Sequence, residues 1–122
     1  MDSNSTPVRF WTALSHLVWS ATLKIDRPKG SRHPRYPDRV YPLDYGYLEG
    51  TTAADRSGID VWIGTLSSRE ITGAVCTVDA VKRDAEIKIL LGCTPEEATI
   101  VLHFHNDGCQ SALLLLRPQD IP

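Results

Sequence analysis

The sequence predicts a mainly β, α+β domain, a small antiparallel or mixed barrel with two helices packed outside it. Short apolar segments separated by turns recur through the middle of the chain, without the regular strand–helix alternation of a doubly wound sheet. The length of 122 residues and the 42% hydrophobic content suit one globular domain spanning 1–122.

Two helices are predicted from local patterns. Thr6 and Pro7 suit a helix start, and apolar residues recur with helical spacing from Phe10 to Val18, so we expect the first helix over 8–19. The second begins with Thr94, Pro95 and Glu97, the sequence of a capping box, and is expected to run to Asn106 and stop at Gly108.

Five segments have the length, apolar content and bounding turns of strands, and the segment 21–25 is a weaker sixth candidate. The five are 40–48, 59–66, 71–81, 86–91 and 111–116. The prolines of 27–39 predict an extended loop there instead.

Composition excludes several classes of protein. No apolar run approaches the roughly 20 residues that cross a bilayer, and no signal-peptide pattern opens the chain, so we expect a cytoplasmic protein without a membrane partner. The motifs GxxxxGK[ST], GxGxxG, GxSxG and HExxH are absent. His103 and His105 are two apart on the second helix and so point to different faces, which argues against a zinc site.

Charge is distributed unevenly although the net charge is only −2. Residues 24–39, the basic arm, contain six Lys or Arg residues against two Asp residues, so the rest of the chain is acidic. A basic arm beside an acidic body suits a site for an anion together with metal cations, and a solvated loop is the other interpretation.

Two pairs of aspartates are the candidate metal ligands. Asp55 and Asp60 are five residues apart, as are Asp79 and Asp84, each pair across a turn at a strand end. Magnesium prefers oxygen ligands and is usually held by a few carboxylates and substrate phosphates. On spacing alone, ordinary surface turns explain the pairs equally well.

Four ordered segments resemble the soluble family I inorganic pyrophosphatases. Tyr41 to Tyr47 (YPLDYGY) is similar to the family's Y-P-x-x-Y-G-[FY] segment, and Asp55 to Val61 (DRSGIDV) stands where the family has D-G-D-P-x-D-V. Pro28 to Arg32 (PKGSR) resembles its P-K-G-S-R stretch, and Asp79 and Asp84 keep the spacing of its second acidic pair. With this resemblance we expect a five-stranded, OB-like barrel, with an N-terminal helix and a helix in the C-terminal half packed outside.

The resemblance implies roles for these residues. It makes Asp55, Asp60, Asp79 and Asp84 ligands of Mg²⁺, with Mn²⁺ as the other candidate ion. It places the phosphate-binding residues in the basic arm and at the first tyrosine: Lys29, Arg32, Arg35, Arg39 and Tyr41. It assigns the catalytic positions to Asp60, Tyr45 and Ser57. The family commonly forms oligomers, which implies a homo-oligomer here.

Some residues depart from the family pattern. Ser57 replaces the middle Asp of the signature, which helps to deprotonate the attacking water, and serine is a poor base near neutral pH. Glu86 stands in place of a lysine and reverses its charge. Near the second helix the family's Tyr-Lys pair is missing, and either His105 with Asn106 or His103 stands in its place.

These observations favour an enzyme, a Mg²⁺-dependent hydrolase of inorganic pyrophosphate that uses a metal-activated water. The departures support two alternatives: an impaired pyrophosphatase-like module that binds a phosphate-containing ligand, or a hydrolase of another small phosphoanhydride. Nucleic-acid binding by the basic arm is disfavoured, because such domains are usually basic over a whole face.

Overall fold

The computed structural model describes residues 5–53 and 57–119. Two helices and six strands follow in the order α1 (Thr6–Ser20), β1 (Thr22–Arg27), β2 (Asp44–Glu49), β3 (Ile59–Ile63), β4 (Ile71–Asp79), β5 (Asp84–Leu91), α2 (Pro95–His105) and β6 (Gln110–Leu116). The fold is α+β and mostly β, consistent with a small OB-like fold, which confirms the predicted class. Neither helix is long and apolar enough to span a bilayer in the part of the chain described.

One sheet contains all six strands in the order β1-β2-β3-β5-β4-β6. Strands β3 and β5 pair in parallel, and the other four neighbouring pairs are antiparallel. The predicted number of five strands was too low by one, because the weak candidate forms edge strand β1. Its mostly exposed side chains leave only a faint apolar pattern in the sequence.

Each helix covers one face of the sheet. Alternate residues of a strand point to opposite faces, so Val61 and Ile63 pack with α1, whereas Trp62 between them packs with α2. Helix α1 contributes Val8 and Trp11 to its cluster. The face covered by α2 also carries the polar side chains of the cleft described below.

Helix α2 begins as predicted. The Thr94 hydroxyl accepts a hydrogen bond from the Glu97 amide at 3.1 Å, and Glu97 Oε1 accepts one from the Thr94 amide at 2.9 Å. The same Oε1 accepts the Thr65 amide at 3.1 Å, so the capping box also attaches the loop after β3 to the helix. Helix α1 begins two residues earlier than predicted, and the side chain of its N-cap residue, Ser5, makes no capping hydrogen bond.

Candidate active-site cleft

An acidic cleft opens on the α2 side of the sheet, with a volume of about 630 Å³. That volume lies within the usual range for small-molecule sites, roughly 300–1,000 Å³. Five carboxylates line the cleft against three cationic side chains. The carboxylates belong to Asp60, Asp79, Asp84, Glu86 and Asp107, and the cations to Arg39, Lys82 and Lys88.

A second cleft, of about 820 Å³, lies along α1 and is larger. Its lining contains a single carboxylate, Glu70, beside Arg69 and Arg117. Charge therefore distinguishes the smaller cleft as the chemically equipped one, since it combines a carboxylate cluster with cations and aromatic rings.

Strand register brings the polar side chains of the acidic cleft together. Val61 pairs with Ile89, so Asp60 and Lys88, one residue earlier on each strand, are neighbours on the opposite face. The period of two along β5 also places Glu86 on that face. Lys88 was not among the site residues predicted from the sequence.

Lys88 is the centre of a buried polar network, with only 5% of its surface exposed. Its ammonium donates hydrogen bonds to Asp60 Oδ2 at 2.8 Å, Glu86 Oε2 at 2.9 Å and the Tyr45 hydroxyl at 3.0 Å. Tyr45 in turn donates to Asp60 Oδ2 at 2.6 Å. In the sequence, Asp84, Glu86 and Lys88 alternate along β5, and this spacing of two could have revealed the network.

The pKa values of Tyr45 and Lys88 are both raised, mainly by burial for Tyr45 and by the neighbouring oxygens for Lys88. Burial raises the pKa of the Tyr45 phenol, and although Lys88 opposes the shift, Asp60 reinforces it. Burial works to lower the pKa of Lys88, but the oxygens of Tyr45, Asp60 and Glu86 outweigh it and raise that pKa. Tyr45 is therefore a neutral hydrogen-bond donor at neutral pH, and Lys88 is a cation.

Asp79, the last residue of β4, pairs directly with Asp84, the first residue of β5, across their hairpin. Asp79 Oδ1 accepts hydrogen bonds from the amides of Val81 and Lys82, both at 3.0 Å, so this oxygen holds the hairpin turn. The two predicted metal ligands are thus brought together at the cleft. Asp55, the fourth predicted ligand, lies outside the described residues.

The residues described contain no cluster of three or more His, Cys, Asp or Glu side chains arranged to hold a metal ion. Asp60 Oδ2 is bonded to the Lys88 ammonium instead. Residues 5–53 and 57–119 therefore do not form a preassembled metal cage, and the carboxylates fit an ion only as one or two of its ligands.

Of the predicted phosphate-binding residues, Arg39 and Tyr41 line the cleft, whereas Lys29, Arg32 and Arg35 are not among its lining residues. Arg32 donates to the carbonyl of Pro37 at 2.9 Å and so holds the basic arm together. Arg39 donates to the carbonyl of Phe104, and its guanidinium lies 4.1 Å from the centre of the Phe104 ring. Arg39 also lies 3.9 Å from the carboxylate of Asp107, another residue of the cleft.

The aromatic floor of the cleft orients Tyr45. The rings of Tyr41 and Trp62 lie 5.2 Å and 4.6 Å from the Tyr45 ring, centre to centre. Trp62 is fully buried. Tyr41 and Tyr45 therefore combine a packing role with a position at the cleft, and the Tyr45 hydroxyl orients Asp60.

His105 is buried beneath the cleft and does not serve as a free base. Trp62 Nε1 donates to His105 Nε2 at 3.0 Å, so Nδ1 carries the proton and donates to Gln110 Oε1 at 2.9 Å. Burial lowers the pKa of His105 to about 3, with Lys88 and Arg39 adding to the shift and the bond to Gln110 opposing it. His103 is exposed on α2.

Asn106 also has a structural role. Its side-chain amide accepts a hydrogen bond from the Ala112 amide at 3.0 Å and donates one to the Ala112 carbonyl at 3.2 Å. These two bonds satisfy the backbone N–H and C=O of Ala112 in β6, as a neighbouring strand would. Ser57 is exposed and is not among the residues that line the cleft.

Comparison with known proteins gives structural matches only. No protein-family model matches the sequence, and no curated protein matches it. An inorganic pyrophosphatase from Neisseria gonorrhoeae superposes with a TM-score of 0.59 at 16% identity, over 78% of this chain and 81% of that one. The fold of this chain is pyrophosphatase-like. An inorganic pyrophosphatase from Coxiella burnetii gives a TM-score of 0.46 at 14% identity, over 75% of this chain and 81% of that one.

Proposed function

We propose that the acidic cleft binds inorganic pyrophosphate, or another small phosphoanhydride, and that the protein hydrolyses it with a divalent ion. The observation that carries the proposal is the cluster of carboxylates beside Arg39 and Lys82, in a cleft of about 630 Å³ on a pyrophosphatase-like fold. Phosphoanhydride hydrolysis needs carboxylates that can hold a metal ion, cations that neutralise phosphate charge, and room for the substrate with an attacking water.

The charge balance of the cleft supports a requirement for added cations. Five carboxylates outnumber three cations along its lining, and one of those cations, Lys88, is already bonded to two of the carboxylates. A pyrophosphate anion entering alone would be repelled. We therefore propose that Mg²⁺, or Mn²⁺, enters together with the substrate.

The carboxylates of Asp79 and Asp84 are the proposed ligands for such an ion. Asp55 and Asp60 stay ligands predicted from the sequence, and the Lys88 ammonium is bonded to Asp60 Oδ2. Magnesium commonly keeps its waters and binds through one or two carboxylates plus substrate phosphates, which suits a cleft without a preassembled cage. When bound, the ion would neutralise charge on the phosphoryl oxygens and acidify a water.

The remaining residues have proposed roles in binding and positioning. Arg39 and Lys82 supply positive charge at the cleft wall, and Tyr45 with Lys88 fixes the orientation of Asp60. Lys29, Arg32, Arg35, Tyr41 and Ser57 stay predicted contributors to substrate binding and catalysis. Cytoplasmic location and homo-oligomeric assembly stay predictions from the sequence.

Phosphate release tests the hydrolase proposal. Purified protein with pyrophosphate and Mg²⁺ is expected to release phosphate, and Asp84→Asn is expected to lower the rate at least about tenfold, as loss of groups around a metal ion usually does. Glu49→Gln is the control, because Glu49 forms a surface ion pair with Lys24. Release no higher than a protein-free blank, for a panel of phosphoanhydrides with both metals, would refute the proposal.

A second candidate function is binding of a phosphate-containing ligand without turnover. The buried ammonium of Lys88 beside Asp60 favours it, because this cation occupies a carboxylate oxygen that a catalytic ion would use. Calorimetric titration with pyrophosphate and with nucleotides, in Mg²⁺, is expected to show binding under either function. Binding combined with no phosphate release would select this second function, and no binding at all would contradict both.

A further inference from the structure

The ammonium of Lys88 has used all of its hydrogen-bonding capacity inside the protein. A lysine ammonium carries three N–H donors. The three acceptors are Asp60 Oδ2, Glu86 Oε2 and the Tyr45 hydroxyl, at 2.8, 2.9 and 3.0 Å. No donor remains for a ligand, and only 5% of the residue surface is exposed. Lys88 is therefore not placed to bind a phosphate directly.

We infer that Lys88 is a tethered cation that takes the place of a divalent ion between Asp60 and Glu86. The inference rests on the proposed function, in which a divalent ion binds in the cleft, and it specifies which part of the cleft admits that ion. It makes Lys88 a specificity-determining residue: divalent ions are excluded from the Asp60–Glu86 end and admitted at the Asp79–Asp84 end.

Geometry and charge support this assignment. Two carboxylate oxygens within 2.9 Å of one nitrogen leave a space of cation size between them. Both side chains are largely shielded, with exposures of 23% for Asp60 and 13% for Glu86, so their charges need a nearby cation. Because the ammonium is covalently attached to β5, it is not lost by dilution, and a divalent ion must compete with it for Asp60 and Glu86.

The Asp79–Asp84 pair, next to Glu86 along the β4–β5 hairpin, has no such occupant among its described contacts. Asp79 uses Oδ1 for the amides of Val81 and Lys82, which are uncharged donors, and the described ion pairs involve neither Asp79 nor Asp84. The two ends therefore differ in charge neutralisation although both carry two carboxylates.

Manganese binding to the whole protein, without substrate, tests the inference. Lys88→Met removes the charge and keeps an unbranched chain of similar length, and free Mn²⁺ is measured by its paramagnetic resonance signal. Lys82→Met is the matched control, because it removes the same charge from an exposed lysine of the same cleft. We expect Lys88→Met to bind Mn²⁺ at least about tenfold more tightly than either wild type or the control.

Adding Glu86→Gln to Lys88→Met locates the new site, since the gain should disappear. A folded Lys88→Met protein with the Mn²⁺ affinity of Lys82→Met would overturn the inference. If Lys88→Met unfolds by itself, circular dichroism with and without Mn²⁺ decides: refolding by the ion supports the inference, and failure to refold contradicts it. None of these readouts depends on phosphate release, so the inference and the proposed hydrolysis fail separately.

Discussion

Asp60 Oδ2 accepts two hydrogen bonds at once, from the Lys88 ammonium at 2.8 Å and from the Tyr45 hydroxyl at 2.6 Å. Asp60 and Tyr45 come from the two segments that resemble pyrophosphatase signatures, and Lys88 comes from outside them. One carboxylate oxygen therefore joins three strands, β2, β3 and β5, and fixes the acidic centre of the cleft.

Removing Lys88 should destabilise the fold through the charges it leaves behind. We expect Lys88→Met to lower the free energy of unfolding by about 3 kcal/mol, at the lower end for breaking a buried ion pair because Asp60 is partly exposed. Asp60→Asn should cost less in the Lys88→Met background than in wild type. Urea denaturation of the four proteins in this double-mutant cycle measures the difference, and simple additivity would contradict the direct pairing.

Substitutions of Asp79 and Asp84 should distinguish an effect on stability from an effect on phosphate release. Asp79→Ala leaves the amides of Val81 and Lys82 without their acceptor, so we expect a loss of about 1 kcal/mol in unfolding free energy. Asp84→Ala should leave stability nearly unchanged while reducing Mg²⁺-dependent phosphate release. Thermal melting and phosphate release on the same preparations test this, and equal destabilisation by both changes would argue against it.

His105 should make the protein less stable in mild acid. Its pKa is about 3 in the folded chain against an ordinary value of 6.5, so between these values the unfolded chain binds a proton that the folded chain does not. Stability from this group is complete above pH 6.5 and is lost as pH falls, by about 2 kcal/mol at pH 5.

The comparison for His105 is His105→Gln, since a glutamine oxygen can accept the Trp62 N–H and does not titrate. Unfolding free energies from urea curves at pH 7 and pH 5 should fall more for wild type than for His105→Gln. The same fall in both proteins would assign the acid sensitivity to other groups.

Gly46 is required because β1 lies against it. A Cβ atom at this position would lie 1.9 Å from the backbone carbonyl oxygen of Lys24, which cannot move without breaking the β1–β2 pairing. We expect Gly46→Ala to destabilise the protein by about 3 kcal/mol, the upper part of the usual range for overpacking.

Gly50→Ala is the control for Gly46→Ala. Gly50 has a φ of +85° but open space around a Cβ, so only backbone strain, about 1 kcal/mol, is expected there. Denaturant melts of the two variants compare steric conflict with strain, and a smaller effect for Gly46→Ala than for Gly50→Ala would contradict the close approach of β1.

Local signals in the sequence were sufficient for the elements that depend on local contacts. The capping box of Thr94 and Glu97 positioned the start of α2 because both partners lie within one helical turn. Apolar residues at helical spacing predicted α1, and short apolar segments between turns predicted the five stronger strands. Edge strand β1 was only a weak candidate, since its stability depends on pairing with β2 rather than on its own apolar residues.

By itself, the sequence determined the mainly β class, the start of α2 and the resemblance that singled out Tyr45, Asp60, Asp79 and Asp84. Only the tertiary structure decided that Lys88 holds Asp60, that Arg39 lines the cleft while Arg32 holds its own loop, and that His105 is bonded beneath Trp62. The reason is physical. Lys88 meets Asp60 through the parallel pairing of β3 with β5, a contact between residues 28 positions apart in the chain, and no local pattern specifies that register.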